Sequence, residues 1–195
     1  MRSPFDFIIE PKGLRYNNSV SVGDKKLILN TEISNHEYIN RQGIIKSIPT
    51  AFKTVLEKGD DVIVHHNVFR RWYDMKAREK NSRSFLDENT YLVKEDQIFL
   101  YKRFWQWKSM PGYTWVRPVK ETDEFSIEKE KPLVGIVEYS NVYNKKDIVG
   151  FSPNDEFEFV IEDKRLYRVM DKYITIKYER ERNEEAYNPS WAQGS

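Results

Sequence analysis

Four short blocks occur twice in this chain, in the same order, and no other feature of the sequence limits its fold so tightly. Phe7-Ile8-Ile9-Glu10-Pro11-Lys12 can be laid against Trp115-Val116-Arg117-Pro118-Val119-Lys120 with the proline shared, and Gly43-Ile44-Ile45 against Gly135-Ile136-Val137. Lys58-Gly59-Asp60-Asp61-Val62-Ile63-Val64 pairs with Pro153-Asn154-Asp155-Glu156-Phe157-Glu158-Phe159, and Tyr91–Leu100 with Tyr167–Ile176. Such a repeat predicts one hydrophobic layout folding twice. The expected organisation is a first domain over 1–103, a linker over 104–113, a second domain over 114–180 and a polar tail over 181–195.

The blocks read as strands. Asp61–His65, Tyr91–Val93, Gln97–Tyr101, Glu156–Ile161, Leu166–Val169 and Tyr173–Tyr178 are short and rich in β-branched and aromatic residues, and several alternate in polarity with period two. Turn-forming Gly, Pro, Asn and Asp lie between them. Only four alanines stand against 12 Tyr, 11 Phe and 5 Trp, so the best helix former is nearly missing. Pro49–Glu57 and Arg71–Lys80 are the two short helix candidates. The chain is expected to be mostly β.

The copies differ by insertions. Pro11 to Gly43 spans 32 residues but Pro118 to Gly135 only 17; Asp60 to Tyr91 spans 31 but Asp155 to Tyr167 only 12. The first copy therefore carries two extra excursions, about 15–42 and 66–89, and insertions between strands go to surface loops, where binding tends to sit. The first excursion holds Leu27-Ile28-Leu29 in polar surroundings, either as an apolar partner-binding triplet or as part of a strand over Lys25–Asn30. The second sets Arg70, Arg71, Lys76, Arg78, Lys80 and Arg83 against Asp74 and Glu79 alone. Together with Tyr101–Lys108 it mixes cations with aromatics, as single-strand binders do. Arg70, Arg71, Lys76 and Arg78 are thus candidates for contact with a neighbouring subunit or with nucleic acid. Phe104, Trp105 and Trp107 lie where two domains must join and are expected to pack there. Trp191, alone in the polar tail, suggests docking on a neighbour.

Other chemistry finds little footing. The chain has no cysteine, which excludes disulfides and thiolate sites. His65 and His66 invite a metal, but adjacent strand residues point to opposite faces and only His36 remains to help, so no metal site is expected. No nucleophile elbow, phosphate loop or paired-carboxylate context is present, and neither catalysis nor a cofactor is expected. A net charge of +1 lacks the bias of a dedicated nucleic-acid binder. No apolar run approaches the roughly 20 residues that cross a bilayer, and the opening MRSPFDF has no signal-peptide core, so the cytosol is the expected compartment.

The order of blocks resembles the GroES family of co-chaperonins. That family opens on a strand ending near a proline, continues through a long loop to a G-x-V strand and a G-D turn, and closes on a strand pair of the form Y-x-[VI]-x-[DE]-x-[DE]-I. Gly43-Ile44-Ile45, Gly59-Asp60 and Tyr91–Ile98 match these in the first copy. Gly135-Ile136-Val137, Asn154-Asp155 and Tyr167–Ile174 match them in the second. The loop lacks the family's usual glycine pair, and neither copy has an obvious roof hairpin. The resemblance implies two tandem small β-barrels with long loop insertions in the first. It also implies a homo-oligomer and a GroEL-type chaperonin ring as partner, docked through Leu27, Ile28 and Leu29, with the shorter Glu121–Leu133 loop of the second copy acting as a spacer. The Lys-, Asn-, Ile- and Tyr-rich composition is similar to coding from an AT-rich genome, such as that of a phage acting in a bacterial host. The alternative role for the same barrels is a phage virion structural protein packed among other virion proteins, and a nucleic-acid-binding barrel is a third.

Overall fold

The strand pairs registered among the described residues of the computed structural model are antiparallel, as expected of half-buried segments with period-two alternation. Residues 1–16, 39–123, 125–179 and 184–193 are described, with the backbone of 19–22 and 25–28. The chain divides into two units, Met1–Gln106 and Trp107–Ser195.

The first unit runs β1 (Phe7–Pro11), β2 (Ser19–Val22), β3 (Lys25–Ile28), β4 (Gln42–Ser47), β5 (Asp61–Val64), β6 (Arg71–Tyr73), β7 (Glu79–Asn81), β8 (Phe85–Asp87), β9 (Thr90–Val93) and β10 (Ile98–Arg103), with β11 (Gln106–Ser109) beginning at its last residue. Its main sheet has the order β11-β10-β5-β4-β1-β9-β8, while β2-β3 and β6-β7 form separate two-stranded ribbons. The second unit contains β12 (Tyr113–Lys120), β13 (Glu130–Tyr139), β14 (Ile148–Phe151), β15 (Phe157–Ile161), β16 (Lys164–Met170) and β17 (Ile174–Tyr178), in the order β15-β16-β12-β13-β14-β17.

These two orders are one order. Reading β8, β9, β1, β4, β5, β10 as β15, β16, β12, β13, β14, β17 maps one sheet on the other, and the registers agree residue by residue. Pro11 opposes Gly43 as Pro118 opposes Gly135. Ile9 opposes Tyr91 as Val116 opposes Tyr167. Ile98 opposes Val64 as Ile174 opposes Phe151. The register shift between Ile8 and Ile9 recurs between Trp115 and Val116. A single 3-10 turn, Glu95–Gln97 or Asp171–Tyr173, leads into the last equivalent strand each time. Each core is built from the same positions: Ile9, Ile45, Val62, Val64 and Val93 in the first unit and Val116, Val137, Val149, Phe151 and Val169 in the second, all buried.

Three expectations from the sequence change. The second G-D turn is Lys146-Asp147, not Asn154-Asp155. Val137 N–H donates to Asp147 O and Lys146 N–H to Val137 O, as Ile45 N–H donates to Asp60 O and Gly59 N–H to Ile45 O. Lys146 adopts the positive φ (73°) that Gly59 (96°) adopts more easily, so the turn carries no glycine to mark it. Neither helix candidate forms. Residues 49–57 are irregular, and Arg71–Lys80 is the β6–β7 hairpin, whose turn is held by Asp74 Oδ1 accepting from Lys76 N–H and Arg78 N–H, with Ala77 at φ 56°. The stretch read as a packed linker instead contains a tight turn before β11, with Phe104 and Trp105 at positive φ and about nine-tenths exposed.

The ladders of the described residues leave both main sheets open. At the edges, β8 is three residues long with a register shift at its centre, and the three central residues of β17 are exposed. The tail returns to the second unit. Ala186 bridges Val119, Tyr187 N–H donates to Pro118 O, Asn188 caps Arg165 N–H, and the Arg165 guanidinium lies 5.6 Å from the Trp191 ring centre.

Two pairs of substitutions test the equivalence. A Cβ at Gly43 would fall 2.5 Å from Ile9 Cγ2, and one at Gly135 still closer to Val116 Cγ2, whereas one at Gly150 meets nothing nearer than 3.5 Å. Gly43→Ala and Gly135→Ala are each expected to cost about 1–3 kcal/mol in urea denaturation and Gly150→Ala less than about 1. The equivalent tyrosines should respond with opposite sign. Tyr91 is fully buried with its hydroxyl unpartnered, and burial pushes that hydroxyl up to about 12. Tyr167 Oη donates to Glu130 Oε1 (2.7 Å) and accepts from Arg165 Nη2 (2.6 Å). At pH 7 Tyr91→Phe should be neutral or stabilising, while Tyr167→Phe should cost about 1–3 kcal/mol by stranding its partners. The folded value for Tyr91 lies above the unfolded value of 10, so its contribution is intact below pH 10 and is lost as pH rises toward 12. Tyr91→Phe should therefore gain on the wild type at pH 11, and a loss there would refute the assignment.

Candidate functional site

What distinguishes the first unit from the second is concentrated in its two insertions, and one arginine joins their roots. The first insertion leaves the sheet after β1 and returns at β4. Its base is pinched by a bridge between Tyr16 and Ile39 and by the buried Asn40, whose amide donates to Lys12 O and Leu14 O (2.9 Å each) and whose Oδ1 accepts from Gln42 N–H (2.8 Å). The second insertion leaves after β5, buries Val68 and Phe69 against the sheet, runs out along β6 and back along β7, and rejoins at β8.

Arg15 reaches from the first root to the second. Its Nη2 donates to Phe69 O (3.1 Å) and Asn81 Oδ1 (2.9 Å), and its guanidinium lies over Phe85 (5.3 Å) and Tyr91 (5.6 Å). Tyr16 adds a reciprocal pair, its hydroxyl donating to Arg71 O (3.1 Å) and accepting from Arg71 N–H (2.9 Å), with the Arg71 guanidinium 5.1 Å from its ring centre. Neither residue stands out in the sequence, because the segment around them has no periodicity and their partners lie 54 to 66 positions away.

Within the first insertion, β2 and β3 pair with Val20 opposite Leu27 and Ser19 opposite Ile28. Two residues of the apolar triplet thus have strand backbone, while Leu29 lies outside the described residues. The second unit's counterpart is the short loop 121–129, closed by Glu121 N–H donating to Lys129 O, where Phe125 (94%) and Ile127 (99%) are almost wholly exposed.

The basic cluster separates by role. Arg71 Nη1 lies 3.7 Å from Glu79, and Arg78 Nε donates to Asp74 Oδ2 at 3.0 Å. The Arg78 N–H foremost, with the Lys76 N–H, holds the Asp74 carboxyl below its ordinary range. Lys76 is exposed in the hairpin turn, and Arg70 lies over Trp72, 5.9 Å from the ring centre. His65 and His66 do not point apart. β5 ends at Val64, and their rings stack with centres 4.2 Å apart. Compared with known proteins, the chain matches no family model, no curated protein and no solved structure.

Arg15→Ala removes charge-assisted bonds to the backbone carbonyls of Phe69 and Arg70 and to the Asn81 amide oxygen. It should destabilise the first unit by about 1.5–3 kcal/mol and raise hydrogen exchange over 65–84, leaving the second unit unchanged. Unaltered exchange over 65–84 would show that the insertion is anchored elsewhere.

Proposed function

We propose that the chain is a non-catalytic, GroES-like co-chaperonin that oligomerises and docks on a GroEL-type ring in a bacterial cell through Leu27-Ile28-Leu29. On this reading the two units are GroES-like barrels whose walls are completed by side-chain packing where ladder bonds leave off. Support comes first from the duplication. Three of the four blocks that carry the resemblance occupy equivalent registers in the two sheets, with the proline, the glycine and the tyrosine in the same relation each time.

The observation that carries the functional part is the place of the first insertion. It departs between the proline-ended strand and the G-x-V strand, where the family's docking loop departs, and a two-stranded ribbon holds Leu27 and Ile28 beyond a pinched root. Burying three aliphatic side chains is worth roughly 1.5–3 kcal/mol each. Ordering a dozen residues opposes this by about 1 kcal/mol or more per residue, which a preformed ribbon lessens. A single docking segment is therefore weak, and useful affinity requires several copies meeting a ring of sites, where later contacts become intramolecular.

Sedimentation of the chain with a GroEL-type ring and ADP tests this. Wild type should co-migrate as an oligomer, and Ile28→Asp should lower binding by at least about tenfold with its thermal melt unchanged. Co-migration of the variant at full strength would clear the triplet of the role, and a wild type that never joins the ring would end the proposal.

A further inference from the structure

The second insertion borders an open cleft of about 330 Å³ between β6, the segment before β8 and the turn leading into β10. Its lining includes Arg70 and Arg83, the Trp72 ring, and the polar side chains of Asn67, Ser84 and Gln97, and no carboxylate. Among the described residues, Arg71 and Arg78 of the same insertion have acidic partners, whereas Arg70 and Arg83, the two that line the cleft, have none. Arg70 Nε is removed from solvent and meets no acceptor. A buried guanidinium donor without an acceptor is costly, so a site that keeps one is suited to a ligand that brings the acceptor.

From this we infer that the cleft is a binding site for a nucleotide unit, with its phosphate on Arg70 and Arg83 and its base against Trp72. Two guanidinium forks match the oxygens of a phosphate. The absence of carboxylates disfavours cations and leaves the positive charge uncompensated. Trp72 is 39% exposed and offers a π face of the kind on which bases stack. Amide and hydroxyl groups from Asn67, Gln97 and Ser84 supply donors and acceptors for a base edge. The volume sits at the lower end of small-molecule sites, enough for one nucleotide and too small for a run of them. The ligand is a free nucleoside monophosphate or one residue of a single strand, and both present the same chemistry. The inference does not depend on the docking role proposed above, since it concerns a different insertion and needs no chaperonin.

The test uses the full chain alone in about 50 mM salt, where phosphate contacts are little screened. Tryptophan fluorescence and equilibrium dialysis are followed with inorganic phosphate, thymidine 5′-monophosphate and a ten-residue oligothymidylate. Thymidine monophosphate should bind saturably and more tightly than inorganic phosphate. Arg83→Ala, at an exposed position, and Arg70→Ala should each weaken it about tenfold or more. Trp72→Ala should weaken the nucleotide while leaving inorganic phosphate unaffected, and Arg78→Ala should change neither. Arg70→Lys, which keeps the charge without the fork, separates loss of phosphate binding from loss of fold. Tighter binding of the oligonucleotide than of the mononucleotide identifies a strand as the source, and equal or weaker binding identifies the free nucleotide. No saturable binding of thymidine monophosphate, phosphate binding just as tightly, or an equal loss in Arg78→Ala would overturn the inference.

Discussion

In each unit the first strand packs so closely against its glycine-bearing neighbour that no Cβ fits between them, and the register of the sheet depends on that contact. Gly43 and Gly135 have no room for a Cβ because the branched side chains of Ile9 and Val116 occupy that space. The glycine is forced by what lies across from it, and the register cannot slip by one residue without placing a side chain there. Proline complements this from the opposing strand. Pro118 lies beyond the last residue of β12 that pairs with β16, so the N–H it lacks is not needed by that ladder. A shift in register just before Ile9 and Val116, each two residues ahead of its proline, then turns both side chains toward the two cores.

Around this common frame the two units use the same positions differently. The second unit gathers its polar residues into ion-paired networks. Glu138, buried in β13, faces Arg117, Lys145 and Lys164, and Arg165 joins Glu130, Glu158 and Tyr167 into one network next to the returning tail. A buried carboxylate is tolerable only with such partners, and three cations around one oxygen pair leave no acceptor for an outside ligand. In the first unit the equivalent of Tyr167 has lost its partner network and lies instead among Phe69, Phe85 and Arg15. Aromatic packing around Tyr91 thus stands where the second unit has an ionic network.

That contrast explains how much could be read from the chain alone. Blocks whose residue types are imposed by packing were legible: the glycine that cannot carry a Cβ, the proline opposite it, and the tyrosine that opens the closing strand pair. The second G-D turn was not, because Lys146 takes a glycine-like conformation, while Pro153-Asn154-Asp155 nearby shows stronger turn chemistry without the register. The β6–β7 hairpin is not legible as a hairpin because the Asp74 side chain, which closes its turn, acts through bonds that propensity does not count. Of the site residues, Leu27 and Ile28 were visible as an apolar pair in polar surroundings. Arg15 and Tyr16 were not, since their significance comes from partners brought near only by the folded sheet.

Arg15 also constrains how the two insertions can behave. It holds Phe69 O at the foot of the basic hairpin while the backbone on either side of it leads into the pinched root of the first insertion, where Asn40 N–H donates to Arg15 O. Asn81, the end of β7, is held by the same guanidinium, so Arg15 anchors the segment that borders the cleft between Arg70, Trp72 and Arg83. Movement at the root of the first insertion cannot leave the hairpin undisturbed unless these bonds break, and breaking the charge-assisted bonds of a guanidinium is unfavourable. The two surface features therefore form one mechanical unit. The second copy of the frame has no equivalent, because its short 121–129 loop has no second insertion to hold.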